Sequence, residues 1–539
     1  MICTKCGKEN PNGAKFCAGC GADLTANDYS GPSVAAFKAV ALKPGIKNKL
    51  WLIILIVVVI VIIILLSTGA LSSGIGGSGG GSSKAIHSVT NFYDNDSEKT
   101  YFVVDGELIK DSINGTVNNV GYSYSSDTRL FINDEDELYI MLAKSKTLVK
   151  IANDVFGAII LSGDGKQVLY TNDEGVVYLY DVSRGEKTKI VEDIDSVKLS
   201  PNGKTILYAV MDEEDGISTM YLYINGEKEK IGDGLFPLTI SDDGKDIYYY
   251  NREKEAVYYT SYGSDDKKKI QSGVIADFPS SNTSQTQIIF GLGNDKGDHS
   301  TYFSEKGGDA IKISGVKGPY MYRVFPSWET VPVKYPNDVL TDRYYRDSEG
   351  NIFYLDSKLE TEKIAGDTGF SSMLSSNSKI MVCIRNDNLY RYDLSKGAES
   401  EKIESDVLDF DISRDGSTIY YINDDDELYM LKGKNEPVKI ASDVGSIKVS
   451  HDDIPFFLTD ISSKTNTGTL YAYTGKEKVK IASDATRLGT TSRTTFYCVY
   501  NDDDDYDVFV AKSGYNKFSM YIKGIALTNV FYNSPDDNY

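Results

Sequence analysis

From about residue 85 onward the chain repeats itself roughly every forty residues, and this period limits the fold more than any other feature. The repeat is anchored by Ser-x-Asp/Asn-Gly-Lys: Ser162 to Lys166, Ser200 to Lys204 and Ser241 to Lys245. Weaker copies begin at Ser125, Ser375, Ser413 and Ser450, and the anchors from Ser125 to Ser241 lie 37, 38 and 41 residues apart. An aromatic-rich strand follows each anchor, as in Gln167-Val168-Leu169-Tyr170, then an acidic turn, then a second strand such as Val177-Tyr178-Leu179-Tyr180. A turn with Lys or Gly leads into a short strand ending Lys-Ile: Lys189-Ile190, Lys230-Ile231, Lys269-Ile270, Lys363-Ile364, Lys402-Ile403, Lys439-Ile440 and Lys480-Ile481. An apolar strand, such as Ser196 to Leu199, enters the next anchor. Four short strands per period, with no helical period of roughly 3.6 residues, predict an all-β protein made of propeller blades. The acidic turns count about eleven units, more than an ordinary ring of about four to eight. The rhythm breaks between Pro319 and Pro336, around Pro326, Trp328 and Pro332. Two tandem rings are therefore expected, residues 85–318 (units 1–6) and 319–539 (units 7–11), with one oversized ring as the alternative.

The Ser-x-Asp-Gly-Lys turn resembles the repeats of TolB-like and WD-like bacterial propellers, although the WD dipeptide itself is absent. The phase of the repeat carries a further expectation. Consecutive strands are antiparallel, so turns alternate between the two ends of a ring. With the strands of a unit lettered A to D, the A–B and C–D turns share one face, and the B–C and D–A turns share the other. The B–C turns are acidic: Asp134-Glu135-Asp136, Asp173-Glu174, Asp212-Glu213-Glu214-Asp215, Asp424-Asp425-Asp426 and Asp502 to Asp505. The D–A turns add Asp154, Asp193, Asp233, Asp406, Asp443 and Asp484. The opposite face collects Lys166, Lys187, Lys204, Lys245, Lys267, Lys268, Lys432, Lys434 and Lys476. A polarised ring is expected, with Asp134, Asp136, Asp173, Asp212, Asp215, Asp424, Asp426, Asp502 and Asp505 as its candidate ligand face. On one reading the charged hairpin tips are only solubility devices; on the functional reading the face attracts a cationic ligand or repels an anionic wall polymer. No Asp run matches the DxDxDG calcium loop, and Asp502 to Asp505 lacks the Gly for its sharp turn.

Leu50 to Leu66 reads LWLIILIVVVIVIIILL, seventeen apolar residues without a break. At about 1.5 Å per residue, a helix of this length nearly crosses a hydrocarbon core of about 30 Å. Eleven of the seventeen are Val or Ile, which favour strands in water, but a bilayer leaves a lone strand's backbone unpaired and so forces a helix. A transmembrane helix is expected over residues 50–71. A cleaved signal peptide starts nearer the chain's beginning and has a shorter apolar core, so an uncleaved signal-anchor fits better. Charge sets its direction. Residues 1–50 carry a net +4, which leaves −25 for the rest of a chain whose total is −21. Lys43, Lys47 and Lys49 crowd one side of the apolar stretch, and the other side has no charge before Lys84. The positive-inside rule then puts the N-terminus in the cytoplasm and the long acidic part outside the cell membrane. That acidity argues against nucleic acid as a partner. Residues 67–84 hold seven Gly and six Ser, with residues 72–84 forming a flexible exterior linker.

The first 24 residues hold Cys3, Cys6, Cys17 and Cys20 as two CxxC pairs, each followed by Gly. Each pair aims two thiolates at one ion, and two such knuckles complete a tetrahedral Zn2+ site. So short a segment cannot bury a core, so the metal supplies its folding energy. Residues 1–24 resemble the short zinc ribbons at the N-termini of many bacterial membrane proteins, which implies a structural zinc. Residues 25–49 read as a cytoplasmic tether.

Cys383 and Cys498 fall in equivalent strands three units apart, too far for a disulfide. The chain has three His, at 87, 299 and 451, in different units, and no Ser–His–Asp or HExxH pattern can be drawn. Most of the 39 Tyr alternate within strands, as in Tyr248-Tyr249-Tyr250 and Tyr420-Tyr421, and read as blade packing rather than carbohydrate platforms. Three functional classes follow: a membrane-anchored surface binding or scaffold protein, a transmembrane sensor whose ribbon recruits a cytoplasmic protein, and a propeller enzyme acting on a surface polymer. The first fits best, because the candidate site lies in repeated turns. The expected partners are the lipid bilayer and an extracellular protein, peptide or glycan.

Overall fold

Short runs of β-branched and aromatic residues, broken every five to seven positions by Asp, Asn and Gly, form strands joined by tight turns. The computed structural model describes residues 87–525 apart from short breaks, the longest at 325–338. These residues belong to one compact unit. Among them, every element but one short 3-10 turn, Leu394–Lys396, is a strand. No helix among the described residues is long and apolar enough to cross a membrane; Leu50 to Leu66 lies outside them.

The described strands form ten antiparallel sheets, in chain order sheets 1 to 10: residues 89–114, 117–152, 155–191, 194–233, 235–272, 274–313, 321–365, 372–404, 407–441 and 444–525. Sheets 2–5 and 7–9 have four strands each, in sequential order A-B-C-D. Sheet 10 has seven. Its 13-residue strand Lys478–Thr490 is the outer strand of one meander and the inner strand of the next. About eleven units were expected and ten sheets are found, because this strand runs straight through the expected D–A turn, bending at Asp484 (φ 53°).

Each sheet packs its apolar face on the next. Leu169 and Val177 of sheet 3 meet Val197, Leu199 and Tyr208 of sheet 4. Ile289, Phe303 and Ile313 of sheet 6 meet Leu340, Tyr345 and Leu355, so packing continues across residue 319. Phe92 and Val103 of sheet 1 pack against Phe496, Cys498, Val508 and Val510 of sheet 10. There the rings of Phe92 and Phe496 meet edge to face at 5.5 Å. The first and last sheets are thus neighbours, the arrangement of a single large ring. Each such side chain, fully buried, contributes about 1.5–3 kcal/mol. Cys383 and Cys498 are buried thiols in separate junctions, not a disulfide.

The tyrosines do pack within the sheets. Directly opposed B- and C-strand rings stack at 5.4–5.6 Å in Tyr170–Tyr178, Tyr208–Tyr221, Tyr249–Tyr258 and Tyr421–Tyr429. A D-strand lysine caps some stacks, with Lys228 Nζ 3.8 Å from the Tyr221 ring centre. The D strands themselves are charged and exposed, as in Glu186–Val191 and Glu227–Asp233, which protects the outer edges from pairing with other chains.

The anchor turn is an inter-sheet lock. The buried Ser200 hydroxyl donates to Asn202 Oδ1 (2.8 Å) and accepts from the Thr205 amide (3.0 Å). Ser162 and Ser241 do the same with Asp164 and Asp243. Gly203 sits at φ +73°, where a Cβ would lie 2.7 Å from Gln167 Cγ of the preceding sheet. At Gly244 it would lie 2.3 Å from Thr205 Oγ1, again one sheet back. A second lock joins sheets 9 and 10. Buried Asp411 accepts the Val449 amide at 2.7 Å and the Ile412 amide at 2.8 Å. Burial lifts its carboxyl from 3.8 to about 6, against the opposing pull of Lys448 and these two amides.

Gly203→Ala should lower the denaturation midpoint well beyond Gly433→Ala. Gly433 (φ +64°) has nothing within 4 Å of its Cβ position and should show only left-handed strain of about 1 kcal/mol. Equal losses would mean the turn does not press on its neighbour. Asp411→Ala should cost about 1–3 kcal/mol by orphaning the Val449 amide. The folded carboxyl titrates above the unfolded one, so its contribution is full below about pH 4 and is lost as the pH rises through about 6. Denaturation midpoints should therefore separate wild type from variant more at acid pH than at pH 8; the reverse order would contradict the assignment.

Candidate binding face

A chain of backbone hydrogen bonds ties the B–C turn of one sheet to the D–A turn that follows it. Val155 N–H donates to Asp136 O (2.9 Å), Asp193 to Gly175 (3.2 Å), Gly234 to Ser218 (2.8 Å), Val407 to Asp387 (2.8 Å) and Val444 to Asp426 (2.9 Å). The D–A turns pass the chain on: Asp173 donates to Asp154 O (2.8 Å), Arg252 to Gly234 O (3.0 Å) and Asp460 to Asp443 O (3.0 Å). Both turn classes therefore lie on one face, as the strand phase requires.

Turn chemistry explains much of the acidity. Asp136, Asp154, Asp193, Asp406, Asp426, Asp443 and Asp484 all have φ between 52° and 57°. Asp and Asn tolerate this left-handed region better than other side-chain-bearing residues. The B–C turns are further shaped by an Asn at their start. Asn133 Oδ1 accepts the Glu137 amide, Asn172 Oδ1 the Val176 amide and Asn423 Oδ1 the Glu427 amide, each at 2.8 Å. The turn-tip carboxylates Asp173 and Asp424 are exposed, as are Asp136, Asp212 and Asp426. Asp134, also exposed, accepts the Thr116 amide and hydroxyl at 3.3 Å each. Asp505 is half-buried, and Asp215 and Asp502 lie outside the described residues. These carboxylates line the face one turn at a time. Among the described residues, no three His, Cys, Asp or Glu side chains gather as a metal site.

The opposite face is less polarised than its lysine count suggests. Lys166 and Lys245 pair with the Asp of their own anchor, at 3.1 Å to Asp164 and 3.9 Å to Asp243. Burial pushes the Asp164 carboxyl up, but the Ser162 hydroxyl and Lys166 outweigh it and hold the group below its ordinary range.

Sequence reasoning missed an apolar element of the acidic face. Phe156 is 71% exposed, Leu408 61% and Val274 42%. Each follows the residue whose amide makes the turn-to-turn bond: Val155, Val407 and Gly273. All three stand at the acidic end of an inner strand, in sheets 3, 9 and 6. The same position holds Thr116 in sheet 2, half-buried Ile194 in sheet 4 and buried Leu235 in sheet 5, so the residue type there does not by itself give the exposure.

Residues 2–24 match the zinc-ribbon domain family. The match includes Cys3, Cys6, Cys17 and Cys20, which lie outside the described residues. Four thiolates in two CxxC pairs suit a closed tetrahedral Zn2+ with a structural role, and the match suggests zinc binding. No curated protein sequence matches the chain. Among solved structures, the chain is similar to TolB from Acinetobacter baumannii, at 16% identity over 44% of this chain and 67% of that one, TM-score 0.28. It is also similar to the tricorn protease, at 15% identity over 74% of this chain, TM-score 0.26, and spans 49% of that chain's length. A third similar structure is the dihydro-heme d1 dehydrogenase NirN, at 12% identity over 62% of this chain and 75% of that one, TM-score 0.36. The chain is an all-β propeller of about ten blades with an N-terminal zinc ribbon.

Proposed function

We propose that this is a single-pass membrane protein that presents its propeller outside the cell as a binding or scaffold module. In this reading, residues 50–71 cross the bilayer and the zinc ribbon sits in the cytoplasm. The apolar run, the flanking Lys43, Lys47 and Lys49, and the Gly/Ser linker support the topology. The observation that carries the binding role is the turn-to-turn hydrogen-bond chain, which gathers the acidic turns on one face beside Phe156, Leu408 and Val274. A face of carboxylates with apolar side chains at its inner strands suits a cationic protein or peptide segment with aromatic or aliphatic residues.

The test uses the full chain in lipid nanodiscs and immobilised peptides rich in Lys, Arg and Trp. Binding should weaken with salt. Reversing Asp134, Asp173 and Asp424 to Lys should reduce it by about tenfold or more, as expected for loss of complementary charge. Reversing Lys166, Lys204 and Lys245 to Glu on the other face should leave it unchanged. Equal effects from the two sets, or no effect from the first, would overturn the proposed face.

A further inference from the structure

The dipeptide Asn-Gly occurs three times among the described residues, at Asn114-Gly115, Asn202-Gly203 and Asn225-Gly226. It is chemically weak, because the glycine nitrogen can attack the asparagine side-chain carbonyl carbon with no Cβ in the way. Ring closure makes three demands. The glycine N–H must be given up, the side chain must turn to meet the nitrogen, and the peptide between the two residues must rotate out of its turn. A tie on any of these holds the reaction back. Two of the sites are tied. Gly115 N–H donates to Glu98 O at 2.7 Å, and Asn114 O accepts from Asn133 Nδ2 at 3.0 Å. A Cβ on Gly115 would collide with the Asp134 carboxylate, so the backbone there is closed over. Gly203 N–H donates to Ser200 O at 2.8 Å. Asn202 Oδ1 is held by the Ser200 hydroxyl at 2.8 Å and the Lys204 amide at 2.9 Å.

The third site differs at each point. Asn225-Gly226 is the two-residue tip between the C strand Ser218–Ile224 and the D strand Glu227–Asp233 of sheet 4, with Ile224 opposite Glu227. Both tip residues are left-handed, at φ 52° and 89°, the hairpin turn that Asn-Gly favours. Among the described residues, neither the Gly226 amide nor the Asn225 side chain makes a hydrogen bond. Both residues are exposed, and nothing lies within 4 Å of a Cβ placed on Gly226. Opening this tip breaks no packing, so it opens at small cost while the strands on either side stay paired.

We propose that Asn225 is a site of spontaneous modification, converting to aspartate and isoaspartate while Asn114 and Asn202 stay intact. The Gly226 nitrogen bonds to Asn225 Cγ and gives its proton to water. The Cγ–Nδ2 bond breaks, and Nδ2 leaves as ammonia. The five-membered imide that results takes up one water at either of its two carbonyl carbons, and the C–N bond at that carbon breaks. Attack at the side-chain carbon restores the ordinary backbone as aspartate. Attack at the main-chain carbon leaves the chain running through the side chain, as isoaspartate. Water is the only co-reactant. Either product places a new carboxylate on the face opposite the acidic turns, where the C–D tips lie. Isoaspartate also lengthens a two-residue turn by one backbone carbon, which strains the pairing of Ile224 with Glu227. The strand beyond carries Lys228, whose Nζ is 3.8 Å from the Tyr221 ring centre, so the altered hairpin loosens one of the lysine-capped tyrosine stacks.

The test is mass spectrometry of the full chain in nanodiscs, held at mildly alkaline pH and body temperature and then cut with pepsin in acid, where the reaction stops. The same chain unfolded in guanidinium supplies the reference rate at each site, free of structure. In the folded protein the peptide holding Asn225 should gain one mass unit and split into separately eluting aspartate and isoaspartate forms. Relative to the unfolded rates, it should do so at least about tenfold faster than the peptides holding Asn114 and Asn202, whose tied amides must open first. Folded protein in which Asn225 reacts no faster than the other two would overturn the proposal.

Discussion

A four-stranded meander of about forty residues has two apolar faces and can cover neither alone. Every sheet here depends on a neighbour on each side, and only a closed ring gives that to the first and last. The packing of Phe92 and Val103 against Phe496 and Cys498 is the contact that turns a row of sheets into a ring. The anchor turns then set the spacing. Each Gly at positive φ rests on the first B-strand residue of the sheet before it, as Gly203 does on Gln167, so a side chain there would push two sheets apart. The serine, its Asp or Asn and the glycine are therefore one structural device rather than a ligand site.

The acidic face follows from the same geometry. Strand direction alternates, so the two turn classes rich in Asp cannot avoid sharing an end of the ring. The left-handed backbone of Asp154, Asp193 and Asp443 accounts for the residue type at those positions without any ligand. The exposed tips Asp173 and Asp424 lie beyond that local need, and Phe156 and Leu408 beside them are harder to explain as solubility devices.

What was legible in the sequence is what local chemistry decides. The Ser-x-Asp/Asn-Gly spacing, the Lys-Ile strand ends and the tyrosine alternation each gave the element and face that the structure has, because a turn or a cross-strand pair involves few residues. The zinc ribbon was legible for the same reason: its ligands declare themselves by spacing. What depends on distant residues was not. Nothing near Asp484 reveals that its strand runs on through the expected turn. Nothing near Pro319 reveals that Ile289 and Tyr345 pack across it. The burial of Asp411 depends on Val449, which belongs to the next meander.

Electron microscopy of the full chain in nanodiscs tests the closed ring most directly. The account predicts particles with a single ring of sheets around one central opening. Two smaller discs joined near residue 319, or an open arc with separated ends, would contradict it.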